Sequence, residues 1–229
     1  YAQAIASIAV IEAYGMTQDR SLQLPAQAAI KFAEESQSKL RGWRYAPRED
    51  ADLSVTGWYV MVLATGQMAG LTVDRHLFKT VSSFLDSVSF EDYSRYSYTQ
   101  QRGPSLTMTA EGMLCRIYLG WPKDHPALQA AIRDDLLANL PDEAAIEASV
   151  YYTYYATQVL HHVGGDSWNI WNAAMRTALP NTQIKIGPDR GSWAPGSDMF
   201  GDAGGRLYVT CLNLYCLEVY YRHLALYKP

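Results

Sequence analysis

Two carboxyl groups stand one residue apart at Asp50 and Asp52, directly ahead of an apolar stretch that opens at Leu53. Paired carboxyls suit general acid–base work. Neighbours that hold one of them protonated, and that stabilise its conjugate base, turn it into a strong proton donor in a dry pocket. Asp50, Asp52 and Ser54 are also the residue types that cap a helix start, by accepting a backbone N–H and by favouring the helix dipole. The sequence leaves both readings open. Aromatic side chains stand nearby in the chain at Trp43, Tyr45, Trp58 and Tyr98, and Tyr152, Tyr155 and Trp193 add further rings. An aromatic face attracts a cation by ~0.5–2 kcal/mol, and the same rings serve as core filler. The run Tyr151-Tyr152-Thr153-Tyr154-Tyr155 covers more than one helix face, so part of it must be core.

Other chemistry-bearing residues give less. His161 and His162 end an apolar stretch ahead of Gly164-Gly165. The helix dipole alone accounts for them, and a metal site would need further converging ligands. Asp189, Asp198 and Asp202 lie in Gly-rich segments without EF-hand spacing. No Gly-x-Ser-x-Gly elbow or phosphate-binding Gly-Lys loop occurs. The sequence therefore predicts no metal and no cofactor. Glu12, Glu218 and Arg116 fall within otherwise apolar helices and call for ion-pair partners, with Arg116, Arg206 and Arg222 as candidate clamps. Cys115, Cys211 and Cys216 read as small buried hydrophobes, an odd number that argues against a disulfide framework.

The elements that must position these residues follow from composition and repetition. Of the 229 residues, 48% are hydrophobic and only 18% charged, and 17 Tyr, 6 Trp and 5 Phe fill the difference. That profile excludes intrinsic disorder. A net charge of −4 offers no basic footprint for nucleic acid, and no apolar run reaches the ~18 residues of a membrane span. Four segments share a Thr-to-Gly pattern: Thr56 to Gly70, Thr109 to Gly120, Thr153 to Gly164, and a glycine-less version from Thr210. Ala4 to Gly15 is a fifth without the Thr. Starts at 4, 56, 109, 153 and 210 give spacings of 52, 53, 44 and 57 residues, enough for two helices and a loop.

Helices over 4–14, 56–69, 109–119, 150–162 and 207–223 are apolar nearly all round, which predicts burial on most sides. Amphipathic helices alternate with them. Their stripes are Leu22 to Ala33, Leu77 to Val88, Leu128 to Leu140 and Trp168 to Leu179. The expectation is an all-α fold of inner and outer helices, about four helix hairpins plus one helix. No linker or low-complexity segment divides residues 1–229, so a single domain is expected. The opening Tyr1 reads as the start of the C-terminal part of a longer protein.

Gly42-Trp43-Arg44-Tyr45, followed by Asp52-Leu53-Ser54-Val55-Thr56-Gly57-Trp58, resembles a repeat of the prenyltransferase/squalene-cyclase family. Gln183 with Gly191-Ser192-Trp193 resembles that family's Gln-Trp motif at longer spacing, and Gly204-Gly205-Arg206-Leu207-Tyr208-Val209-Thr210 looks like another loop-to-inner-helix junction. The resemblance implies an (α/α) toroid or partial toroid, the terpenoid-cyclase architecture. It also implies that Asp52 stands where the cyclases carry the acid that protonates an alkene or epoxide, with Asp50 as its partner and the rings as carbocation-stabilising walls. The family's Asp-x-Asp-Asp reads Asp50-Ala51-Asp52-Leu53 here, so the last Asp is missing. The zinc pattern of the protein prenyltransferases is absent as well. The favoured expectation is therefore a non-catalytic repeat module that binds an apolar or isoprenoid ligand, or a protein partner, on an aromatic-rich concave face. The alternative is a class II terpene cyclase-like isomerase that uses Asp52.

Overall fold

The computed structural model describes the backbone of residues 1–226 and the side chains through Tyr221. The fold is all-α apart from one short hairpin, and the chain divides into two compact units, residues 1–122 and 123–221. In the first unit the helices are α1 (Ala2–Thr17), α2 (Arg20–Ser36), α3 (Leu53–Met68), α4 (Arg75–Ser87) and α5 (Leu106–Tyr118). Strands β1 (Ser89–Phe90) and β2 (Arg95–Tyr96) pair antiparallel between α4 and α5. The hub is α3, which touches α1, α2, α4 and α5. It is buried from Leu53 to Gly66, as a helix that is apolar on every face must be.

The second unit holds α6 (Pro126–Ala131), a π-type turn over Ile132–Leu136, α7 (Glu143–Ala148), α8 (Val150–Val163), α9 (Gly165–Thr182) and, as far as Tyr221, α10 (Gly201–Leu226). Here α8 is the all-round apolar rod, buried from Val150 to Leu160 and packed on α7 and α9. Gly205 at φ 66° interrupts α10, so the helix restarts at the junction read from the sequence. Six helices begin on an Asp or Ser whose side chain accepts a first-turn N–H: Asp19, Asp52, Asp74, Ser105, Asp142 and Ser149.

All nine expected helices are present, and α7 is an addition. The burial differs at two of them. Only Ala4, Ser7, Ile8 and Ile11 of α1 are buried, and Ile5 and Met16 are exposed. On α10, Leu207 is 76% exposed. Being apolar all round predicts burial only where neighbours stand on both sides, as they do for α3. The stripe expected to run to Leu140 stops earlier, because the π-type turn ends the helix at Leu136 and leaves Leu140 exposed.

The repeated threonines have a mechanical role. Thr56 Oγ1 accepts the main-chain N–H of Trp43 at 3.0 Å, Thr109 that of Tyr96 at 3.2 Å, and Thr210 that of Trp193 at 3.1 Å. Each hydroxyl ties the loop after one helix onto the start of the next and satisfies an amide that the loop would otherwise bury unpaired. The tryptophans add a second tie. Trp43 Nε1 donates to Ala33 O and Ser36 Oγ at the end of α2, and Trp193 Nε1 donates to Leu179 O and Thr182 Oγ1 at the end of α9. The next residue is a glutamine in both places. Gln37 donates to Arg41 O and Gln183 to Gly191 O, closing each loop on itself.

Candidate functional site

Asp52 sits where the loop after α2 meets α3. Its N–H donates to Trp43 O at 3.0 Å, which fixes the residue against the Trp43 tie. The side chain is 0% exposed. Oδ1 accepts the Val55 N–H at 2.8 Å as the cap of α3. Oδ2 accepts the Tyr98 hydroxyl at 2.8 Å and lies 3.2 Å from Arg44 Nε, within ion-pair range but not aligned for a hydrogen bond. Arg44 Nη1 bonds Asp50, and its guanidinium lies 5.6 Å from the Tyr45 ring and 5.7 Å from the Tyr98 ring. The Tyr45 and Tyr98 hydroxyls are 2.9 Å apart. Tyr1 donates to Ser54 Oγ at 2.8 Å, with its ring 5.9 Å from that of Tyr45.

The electrostatics divide the two carboxyls. Burial pushes Asp52 above the ordinary carboxyl range, against the pull of the Val55 N–H, the Tyr98 hydroxyl and Arg44. Asp50 is held below that range by the Ala51 N–H and by Arg44. Burial, the hydrogen bond shared with Tyr45 and the bond to Asp52 raise Tyr98 and keep it a proton donor. Each close polar partner of Asp52 therefore gives a hydrogen or a positive charge, which is the arrangement an acceptor carboxylate requires.

Beside this cluster lies a cleft of about 210 Å³, walled by Tyr1, Phe32, Trp43, Arg44, Tyr45, Pro47 and Tyr59 among others. Asp52 is not among its walls. Tyr45 is 66% exposed, and Tyr1 and Phe32 are also exposed. Trp43 is buried and stacked on Tyr59 at 5.0 Å, so it forms the floor. Of the other expected rings, Tyr98 stands half-buried over Arg44, and Trp58 is buried within α3. Tyr152 and Tyr155 are core in the second unit, with the Tyr152 hydroxyl on Asn139 O at 3.1 Å. Trp193 is buried and borders a separate small cleft.

One buried carboxyl was missed. Glu111 on α5 is 0% exposed, and its Oε1 lies 2.1 Å from where a Cβ on Gly57 would stand, so it rests on bare α3 backbone. Burial, and then Asp52 and Glu111, hold the Tyr1 hydroxyl protonated. A lone charge in an apolar helix was the criterion that picked out Glu12, and it applies equally to Glu111.

The expected clamps are rearranged. Arg116 is 2% exposed and pairs with Asp86 on α4, with Nε on the Tyr96 hydroxyl at 2.9 Å and Nη1 on Ser82 Oγ at 2.8 Å. Arg206 pairs with Asp189 at 3.0 Å. Glu218 is exposed and Glu12 half-buried. The Arg222 side chain lies outside the described residues. Asp198 accepts the N–H of nearby Phe200 and that of Val150, at the distant start of α8, both at 2.8 Å. Burial lowers His162 to about 4, and among the described residues no three His, Cys, Asp or Glu side chains converge. In comparison with known proteins, no family model, curated protein or solved structure matches this chain.

Proposed function

We propose that the chain is a non-catalytic repeat module of the squalene-cyclase/prenyltransferase-like toroid kind, and that it holds an apolar chain end in the cleft of Tyr1, Phe32, Tyr45 and Pro47. The observation that carries this reading is the division of labour in the first unit. The Asp52 carboxylate is spent on donors that cap and tie α3, whereas the neighbouring rings stand open around an empty volume. A volume of about 210 Å³ is many times the roughly 10–15 Å³ that one water needs, so it admits the end of an apolar chain. Burial of that end against aromatic walls supplies the affinity, at about 25 cal/mol per Å² of apolar area.

The cyclase-like alternative is favoured by a single observation, the upward push of burial on Asp52. In it Asp52 donates the proton, Asp50 is its partner, and Trp43, Tyr45, Trp58 and Tyr98 are the walls. One experiment separates the two readings. Farnesol is titrated against tyrosine fluorescence, and a parallel incubation with squalene is analysed for cyclic products. The module reading expects saturable farnesol binding, weakened at least tenfold by Tyr45→Ala, and no cyclic product. Cyclic product from squalene would install the enzyme. Farnesol binding that ignores Tyr45→Ala, or no binding at all, would remove the cleft.

A further inference from the structure

A second cleft lies wholly within the second unit and owes nothing to the farnesol reading. Its volume is about 110 Å³, and its walls include Glu147, Trp193, Ser197, Val209 and Asn213. Asn213 is 1% exposed, and among the described residues neither its Nδ2 nor its Oδ1 has a hydrogen-bond partner. A buried amide with both ends idle is costly, and native proteins rarely keep one without a ligand, an ion or water to meet it. The residue stands in the stretch Leu212-Asn213-Leu214 of α10, where an apolar side chain would fill the same wall.

We propose that this cleft is a recognition site for a primary carboxamide. The Asn213 side chain presents one acceptor and one donor side by side. A primary carboxamide presents the complementary pair with the same spacing, so the two close a ring of two hydrogen bonds, Nδ2–H to the ligand oxygen and ligand N–H to Oδ1. The volume is several times the roughly 10–15 Å³ that one water needs, room for a small group such as a carboxamide and the carbon that bears it. Trp193 and Val209 give the bearing carbon an apolar wall. The exposed Glu147 on the wall is a further acceptor for the second amide hydrogen. Trp193 is held in place independently, by Thr210 on its main chain and by Leu179 and Thr182 on its indole, so the wall is built before a ligand arrives.

The test uses the whole ¹⁵N-labelled chain in solution, titrated with acetamide and, separately, with N,N-dimethylacetamide. Acetamide is expected to shift the Asn213 side-chain NH₂ and Trp193 indole signals saturably. N,N-Dimethylacetamide lacks an N–H and is expected to bind at least about tenfold more weakly, because Oδ1 is then left unpaired in a buried site. Asn213→Leu is expected to abolish the acetamide response. Should that variant fail to fold, the two amides on the unaltered chain still decide the matter. A blocked glutamine tripeptide identifies the source: tighter binding than acetamide points to a peptide side chain, and equal or weaker binding to a free small amide. Equal affinity for acetamide and the dimethyl compound would overturn the proposal, as would silence at Asn213 and Trp193 with acetamide, or an undiminished response in a folded Asn213→Leu protein.

Discussion

Thr56→Val removes one oxygen and keeps the side chain's shape. The Trp43 N–H loses its acceptor at 3.0 Å in a place where Trp43 is 1% and Thr56 0% exposed. Trp43 O is still served by the Asp52 N–H, so one group is orphaned rather than two. An orphaned buried amide costs ~1–3 kcal/mol, and the methyl that replaces the hydroxyl returns up to ~0.8 kcal/mol. The net loss is about 1–2 kcal/mol, a shift of roughly 1 M in the urea midpoint.

The internal control is Thr153→Val. That hydroxyl donates only to Ser149 O of the same helix turn, at 3.1 Å, and serves no loop amide. Ser149 O keeps the Thr153 N–H at 3.2 Å, so no group is orphaned and the loss should stay below about 1 kcal/mol. Urea unfolding followed by circular dichroism measures both variants, and amide hydrogen exchange at Trp43 locates the damage, which should accelerate at least tenfold in Thr56→Val alone. Equal destabilisation by the two substitutions, or an unchanged exchange rate at Trp43, would refute the idea that the repeat threonine is a loop tie.

Two further outcomes follow from packing and titration. A Cβ on Gly112 would stand 2.4 Å from the Tyr96 ring, which Arg116 holds by its hydroxyl. Gly112→Ala should therefore lose ~1–3 kcal/mol despite the better helix propensity of alanine, and should become neutral or stabilising when Tyr96→Leu is also present. Simple addition of the two losses in urea unfolding would dispose of that explanation. His162 is lowered to about 4 from an ordinary 6.5, first by burial and then by His161 and Lys123. A depressed imidazole contributes stability that is complete above pH 6.5 and drains away as the pH falls towards 4, in all on the order of 3 kcal/mol. His162→Phe should flatten the urea midpoint between pH 7 and 4.5, and an unaltered pH slope in that variant would clear His162 of the acid sensitivity.

Much of the helical plan was legible because hydrophobic period separates rods that are apolar all round, such as Val150 to Leu160, from striped ones, such as Leu77 to Leu85. The recurrence of Thr was legible too, but not its purpose. That depends on a bond to an amide 13 residues earlier at Trp43, a distance in the chain that no local rule spans. The Gln183 and Trp193 match was visible, whereas its counterpart in Gln37 and Trp43 was not, because Trp43 reads there as part of the Gly42-Trp43-Arg44-Tyr45 loop. Asp52 stood out as a cap or an acid, and it caps α3. Its surroundings were not readable, because Tyr98 reaches it from 46 residues away. Rings were the least legible feature. Type alone does not distinguish Tyr45, which stands open, from Tyr155, which is sealed, since that depends on what lies across from each. Asn213 and Glu111 show the same limit: polar letters in greasy helices are easy to see, and only coordinates say which of them face a void and which face backbone.

The threonine tie has a consequence for how such a chain can diversify. It grips a main-chain N–H, which every residue but proline possesses, so it is blind to the identity of the side chain it anchors. Tryptophan occupies two of the anchored places and tyrosine the third. Exposed residues just beyond, Tyr45 in one loop and Ala194 in another, carry none of that fastening. Successive hairpins can carry different outward-facing chemistries on the same fastening, as interchangeable heads on a common shaft.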